Sequence, residues 1–204
     1  GMGWEDGLRV AAYVILLAQL PIPVFWVFVH PFTDFWRGRA RFAYALVGVP
    51  VWGLCAAGVL RFRGLLFVPE PAALSRVLLG FLLIGLDLWL MRRVESDLGW
   101  RRLVGLAELS PSRPDALGAG KQALSDRGIY GSIRHPRYAG MILSVTGAWL
   151  LAGTPALAAV LAAWLAMVLA IVQLEERELR KRFGAAYEEY ARRVPRFLPR
   201  KIGR

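Results

Sequence analysis

The sequence predicts an all-α, polytopic helical membrane protein. Three observations lead there. Of 204 residues, 56% are hydrophobic. The apolar residues are gathered into uncharged runs of about the 20 residues that a bilayer requires. The cations, which give a formal net charge of +11, flank those runs. A soluble domain would spread its charges throughout, and the composition also excludes a disordered or collagen-like chain. Strong basicity is a frequent footprint of nucleic-acid binding. Cations at the ends of apolar runs face lipid head groups and cytoplasm instead, so no nucleic-acid partner is expected.

About five transmembrane helices are predicted. The first runs roughly from Val10 to Val29, with kinks at Pro21 and Pro23, which membrane helices tolerate where neighbours or water satisfy the freed carbonyls. The second runs from about Phe42 to Leu60 and the third from about Leu74 to Met91. After a long polar stretch come about Ala139 to Leu151 and about Ala156 to Leu174, joined by Ala152-Gly153-Thr154-Pro155. That break is short enough only for a tight helical hairpin. The chain divides into three N-terminal spans over residues 1–93 and a core over 94–204 that holds a cytoplasmic loop, the hairpin and a tail.

Counting cations in the connections orients the spans. With the segment from Arg92 to Arg137 in the cytoplasm, 22 of the 26 lysines and arginines lie on that side, and Arg9, Arg61, Arg63 and Arg76 on the other. This is the positive-inside asymmetry, and it puts the N-terminus outside and the tail inside. Only three lysines accompany 23 arginines, a bias of high-GC bacterial genomes, so the expected location is a bacterial inner membrane. A single cysteine, Cys55, allows neither an internal disulfide nor a cysteine-based metal cage. No metal site is expected.

The polar residues able to do chemistry fall in the loop and the tail. The densest group runs Gly128-Ile129-Tyr130-Gly131-Ser132-Ile133-Arg134-His135-Pro136-Arg137-Tyr138-Ala139-Gly140. Each member alone is explained as an interfacial anchor. Together they suit a cofactor, because Pro136 holds His135 out of helical geometry and the helix starting there presents a positive dipole end. A second group, Glu175-Glu176-Arg177-Glu178, begins where the last span leaves the bilayer. Glu178 fits a solvated helix with i,i+4 pairs. Glu175 and Glu176 lie at a depth where a carboxylate is costly without a cationic partner, and a cationic cofactor or nucleoside hydroxyls would supply one. In the third group, Tyr187 to Pro199, Val194-Pro195 ends a helix and lets Arg196-Phe197 fold back. Arg196, Arg200 and Lys201 are expected to meet anionic head groups. Asp87 faces either a substrate or Arg92 by snorkelling. His30 reads as interfacial.

In order and spacing these stretches resemble the integral-membrane methyltransferase superfamily, which includes isoprenylcysteine carboxyl methyltransferases and phospholipid N-methyltransferases. The matching residues are Gly128 and Tyr130, Arg134 to Gly140, Glu175 and Glu176, then Phe183, Gly184, Tyr187 and Tyr190, and Val194-Pro195. Asp97-Leu98-Gly99-Trp100 is similar to a further element of that family. The resemblance implies S-adenosylmethionine as methyl donor, bound on the cytoplasmic side between loop and C-terminal helix, with a lipophilic acceptor arriving from the inner leaflet. By matching position it implies that Gln122, Leu124, Ser125, Tyr130, His135, Pro136, Arg137, Tyr138, Glu175 and Glu176 line the donor. Glu175, His135 and Arg134 are the implied catalytic groups.

In prenylcysteine carboxyl methyltransferases an arginine one helical turn before that glutamate anchors the acceptor carboxylate. Ile171 stands there, with Ala170, Val172 and Gln173 around it, so a carboxylate would need Arg134, Arg193 or Arg196 instead. The reading is therefore a lipophilic acceptor of unspecified kind, with phospholipid N-methylation as one alternative. Sterol reductases, which use a nicotinamide cofactor, resemble the Arg134 to Tyr138 stretch as well. The acidic pair Glu175-Glu176 suits a sulfonium and would repel a pyrophosphate. A non-catalytic scaffold whose basic tail holds anionic lipid is the remaining alternative.

Overall fold

The computed structural model describes residues 3–36, 38–66, 70–98 and 128–199, and these contain helices and turns but no strand. Seven helices build and position the site. Helix α1 is Trp4–Gln19 and α2 is Pro21–Val29. Helix α3 is Ala40–Arg61, α4 is Leu74–Leu98, α5 is Pro136–Ala152, α6 is Leu157–Phe183 and α7 is Ala185–Arg193. Among the described residues, four helices are long and apolar enough to cross a membrane: Trp4–Phe32, Ala40–Arg61, Leu74–Asp97 and Leu157–Lys181. This is an integral membrane protein. The fifth predicted span is helical too, but α5 has only 17 residues, about 26 Å of helix against a hydrocarbon core of about 30 Å.

Prolines shape the first two spans. Between α1 and α2 the backbone stays helical at Leu20 (φ −58°, ψ −37°). Pro21 and Pro23 therefore delete hydrogen bonds, freeing carbonyls one turn back, without ending the rod. In α3 the turn Tyr44–Gly48 is a π-helix directly ahead of Val49-Pro50. The widened turn takes up the ring that a regular α-turn would push into a carbonyl.

The core lies where α4 and α1 pack on α5, and small residues allow the approach. A Cβ on Gly147 would lie 2.7 Å from the Gly80 carbonyl oxygen, so α4 and α5 meet backbone to backbone, as helices do in lipid when small residues line the seam. Gly140 does the same for a side chain. A Cβ there would sit 2.3 Å from Asp87 Oδ1 and 2.6 Å from Met91 Cε. Asp87 is thus turned inward, 8% exposed and hydrogen-bonded to Ser144. It does not snorkel toward Arg92. Ser144 Oγ also donates to Gln19 Oε1 at 2.9 Å, linking α5 to α1. Gly140→Ala is expected to lower stability by about 1–3 kcal/mol through overpacking. Combining it with Asp87→Ala should cost less than the two single losses added together, measured by thermal unfolding in detergent micelles.

The predicted hairpin is present. Gly153 closes α5 with φ +64°, where a side chain would be strained, and Trp149 Nε1 donates to the Thr154 carbonyl at 3.0 Å. Helix α6 then runs 27 residues, about 40 Å, so its last turns extend beyond the apolar part. Gly184 (φ +53°) ends it and turns the chain into α7. Tyr187, Tyr190 and Val194, at i, i+3 and i+7, form one buried face against Leu179 and Phe183. The tyrosines of the sequence motif are therefore the packing face of α7.

Candidate functional site

The polar groups of loop and tail converge where α5 begins and α6 leaves the apolar region. Asp97, at the end of α4, holds the turn ahead of α5: its Oδ2 accepts the Ile129 N–H at 2.8 Å. Gly128, at φ +58°, sits so close that a Cβ would lie 2.2 Å from the same oxygen. The chain then passes Gly128–Gly131 and reaches Arg134-His135 through a bend outside any helix. There the tail closes on it, because the Arg134 and His135 N–H groups donate to the Pro195 and Arg196 carbonyls at 2.8 and 3.0 Å. Pro195 stops α7 and lets this return form. Tyr190 Oη donates to the Tyr130 carbonyl at 2.8 Å, fastening α7 to the same segment.

Glu176 lies at the centre with no solvent exposure. Arg196 grips it with both arms of its fork, Nε to Oε1 at 3.0 Å and Nη2 to Oε2 at 2.7 Å. Arg134 Nη2 is 3.1 Å from Oε1, and Arg180 Nη2 is 3.5 Å from Oε2. His135 Nε2 is 3.2 Å from Oε1. Such a charge is tolerated only when every lone pair is answered, and here the partners come from three separate stretches of chain. Hydrogen bonds from Arg196 to Glu176 push the guanidinium pKa further up, and burial, aided by the Glu176 charge, raises the Tyr187 phenol. Arg196, expected at the head groups, is instead spent on this carboxylate. Arg134 is spent likewise, with Nη1 donating to the Ala191 carbonyl at 2.9 Å.

Glu175 has a different environment. Its side chain is 29% exposed, Tyr138 donates a short hydrogen bond to Oε1, and Oε2 stands 3.8 Å from His135 Nδ1. That separation is too long for a hydrogen bond. Because a carboxylate only accepts, the His135 Nε2 facing Glu176 carries a proton, and Nδ1 is the ring nitrogen turned toward Glu175. A partly exposed carboxylate and the Nδ1 edge of a buried imidazole thus stand side by side. The acidic pair of the sequence is divided: Glu176 is buried among cations and Glu175 is partly exposed.

Next to this pair the packing is apolar and aromatic. Phe25, Trp26, Val29, Ala43 and Ile171 are buried together, with Tyr44, Trp52 and Tyr138 packed on them. Phe25 and Tyr44 stack at 5.0 Å. Ile171, one turn before Glu175, belongs to this cluster, so no cation stands at the carboxylate-anchoring position. His30 Nε2 is 3.1 Å from Glu178 Oε2, tying the end of α2 to α6. Of the residues expected to line a donor, Tyr130, His135, Pro136, Arg137, Tyr138, Glu175 and Glu176 are brought to this end of α5 and α6. Gln122, Leu124 and Ser125 lie outside the described residues. Sequence reasoning missed the bidentate role of Arg196 and the task of Asp97; the Val194-Pro195 break was the signal for the first.

The profile of the phospholipid methyltransferase family matches residues 75–186, more than half the chain. The chain belongs to that family. The match takes in α5, α6, the Arg134 to Gly140 stretch and both glutamates, and it ends just short of the buried Tyr187 face. Among curated proteins, methanethiol S-methyltransferase 2 of Bradyrhizobium diazoefficiens is 39% identical over 80 residues, which cover 37% of this chain and 29% of that protein. No solved structure matches. For this family member, the ordered motif is a set of contacts: Gly140 makes room for Asp87, Gly184 turns the chain, and Tyr190 fastens the turn at Tyr130.

Proposed function

We propose that the protein transfers the methyl group of S-adenosylmethionine to a small lipophilic acceptor that reaches Glu175 through the aromatic cluster, at the cytoplasmic face of a bacterial inner membrane. The observation that carries this reading is the contrast between the glutamates, a neutralised Glu176 beneath an accessible Glu175 that is oriented by Tyr138. The residues fit the donor: a half-exposed carboxylate beside an aromatic ring complements a sulfonium. When bound, the donor supplies an activated methyl for in-line displacement, which requires positioning and exclusion of water. Tyr138 fixes the Glu175 carboxylate, and Glu176 fixes the His135 tautomer. Glu175 Oε2 or His135 Nδ1 accepts the proton that a neutral thiol or amine acceptor gives up. The enzyme similar over 80 residues bears the name of a thiol methyltransferase, and the apolar Ile171 position suits an uncharged acceptor. Positive charge gathered at the loop and tail supports a cytoplasmic C-terminus.

Titration of the purified chain in micelles with S-adenosylhomocysteine tests the donor. Saturable binding is expected, weakened about tenfold or more by His135→Ala, which removes a charge-assisted hydrogen bond and unseats the bent segment. Absence of binding to the unaltered chain would sink the reading. Tight binding of a nicotinamide dinucleotide instead would favour the reductase alternative.

A further inference from the structure

The two halves of the first span are held very differently. Helix α1 is fixed to the core: Ala12 and Leu16 are buried in one cluster with Val145, Ala148 and Val168, and Gln19 Oε1 accepts from Ser144 Oγ at 2.9 Å. Immediately beyond, Pro21 and Pro23 lack the amide hydrogens that would answer the Leu17 and Gln19 carbonyls, and a helix bends most readily where such bonds are missing. Helix α2 belongs to another cluster, in which Phe25, Trp26 and Val29 pack with Ile171 of α6. Phe25 also stacks on Tyr44 and meets Trp52 edge-on at 6.1 Å, so α3 rests on α2. Just past the end of α2, His30 Nε2 lies 3.1 Å from Glu178 Oε2.

Ile171, Glu175 and Glu178 stand at i, i+4 and i+7, within about 60° of one another around α6. The stripe of α6 that faces α2 therefore includes Glu175, between the packing on Ile171 and the bond to His30. We infer that α2, carrying α3, is a gate for the acceptor: it hinges at Pro21 and Pro23, and the His30 to Glu178 bond latches it beside Glu175. The strength of the latch suits a part that must open. The Glu178 side chain is 67% exposed, and a pair so placed shifts a two-state equilibrium by only about two- to fivefold. That favours closure and still lets an apolar acceptor part the seam. His30 is a positioning residue, since it acts by holding α2. The identity of the passenger rests on the methyl transfer proposed above, whereas the hinge and latch do not.

The test is thiol labelling of the full chain in micelles, with Cys55→Ala as background so that one introduced cysteine reports one place. Ile171→Cys probes the seam under α2 and Val145→Cys the core beside α1; both parent residues are buried, at 2% and 0% exposure. N-ethylmaleimide should label Ile171→Cys about two- to fivefold faster once His30→Ala or Glu178→Ala breaks the latch. The two latch substitutions together should be no faster than either alone, and the rate at Val145→Cys should stay the same. Pro21→Ala/Pro23→Ala restores the missing hydrogen bonds and should slow labelling at Ile171→Cys. Unchanged rates in the latch variants, or equal acceleration at both cysteines, overturn the gate. Labelling that the proline replacements do not slow overturns the hinge assignment. Methyl transfer to an apolar thiol supplies the second arm. An acceptor that enters only the open form binds in proportion to the fraction open, so the latch variants, with Ile171 and Val145 intact, should lower its KM by the same factor as the labelling rate rises. Their affinity for S-adenosylhomocysteine should not change. Faster labelling with KM unmoved overturns the acceptor route alone. Methyl transfer absent from the unaltered chain overturns the reaction proposed above, and the labelling rates still decide the gate.

Discussion

Glu176→Ala is expected to destabilise the protein by about 3–5 kcal/mol, the scale for breaking a buried ion pair by removing one partner. The reason is the number of groups that depend on one carboxylate. Removing it strands Arg134, which is 10% exposed, and leaves the Nε2–H of a buried His135 unanswered. Arg196 and Arg180, both 43% exposed, can turn toward water and lose less. The tail return should fail with it, because the Arg134 and His135 backbone bonds to Pro195 and Arg196 are stapled by the Arg196 to Glu176 fork. Thermal unfolding in micelles measures the loss, and limited proteolysis after residue 194 reports the freed tail. Arg196→Gln should cost less, since Arg134 and Arg180 still answer the carboxylate. A Glu176→Ala protein as stable as the unaltered chain would show that the buried network contributes little.

Glu175→Gln is expected to act in the opposite way, sparing the fold and removing the reaction. Its side chain is partly exposed and its partners, Tyr138 and the more distant His135, lose little when the charge is removed. Melting should move by no more than about 1 kcal/mol, within the range of a partly solvated hydrogen bond. Methyl transfer, assayed with labelled donor against thiols and amines of graded chain length, should fall by about 10²–10⁴-fold, the usual contribution of a positioned acid or base. Tyr138→Phe leaves the carboxylate present but loosely oriented, so its loss should be smaller and should appear in kcat more than in donor affinity. If Glu175→Gln and Glu176→Ala impaired melting equally, the division between an acting and a supporting glutamate would be wrong.

Much of this site is legible in one dimension. Pro136 after His135, Pro195 after Val194 and Gly184 after Phe183 are local instructions, and each produces the break or turn that its backbone chemistry requires. The spans are legible for the same reason: bilayer thickness sets a length that apolar runs must meet. What failed to show was the partnering of long side chains. Arg196 at the end of a basic tail has the look of a head-group contact, and only the return of residues 194–197 across the Arg134 segment brings it to Glu176. Asp87 illustrates the same limit. Its neighbour Arg92 is close in sequence, yet the gap that receives its carboxylate is made by Gly140 on another helix.

The sequence by itself determined that the chain is helical, that it belongs in a membrane, and where its motif residues begin and end helices. These are properties of single residues and of runs, governed by transfer free energy and by backbone geometry. Tertiary structure decided which of two adjacent glutamates is buried among cations and which stays partly exposed. Neighbours in a helix point about 100° apart, so Glu176 faces three guanidiniums inside the protein while Glu175 faces Tyr138 and an open side. Burial and charge compensation depend on which side chains meet across space, and that information appears only once α5, α6 and the returning tail are packed together.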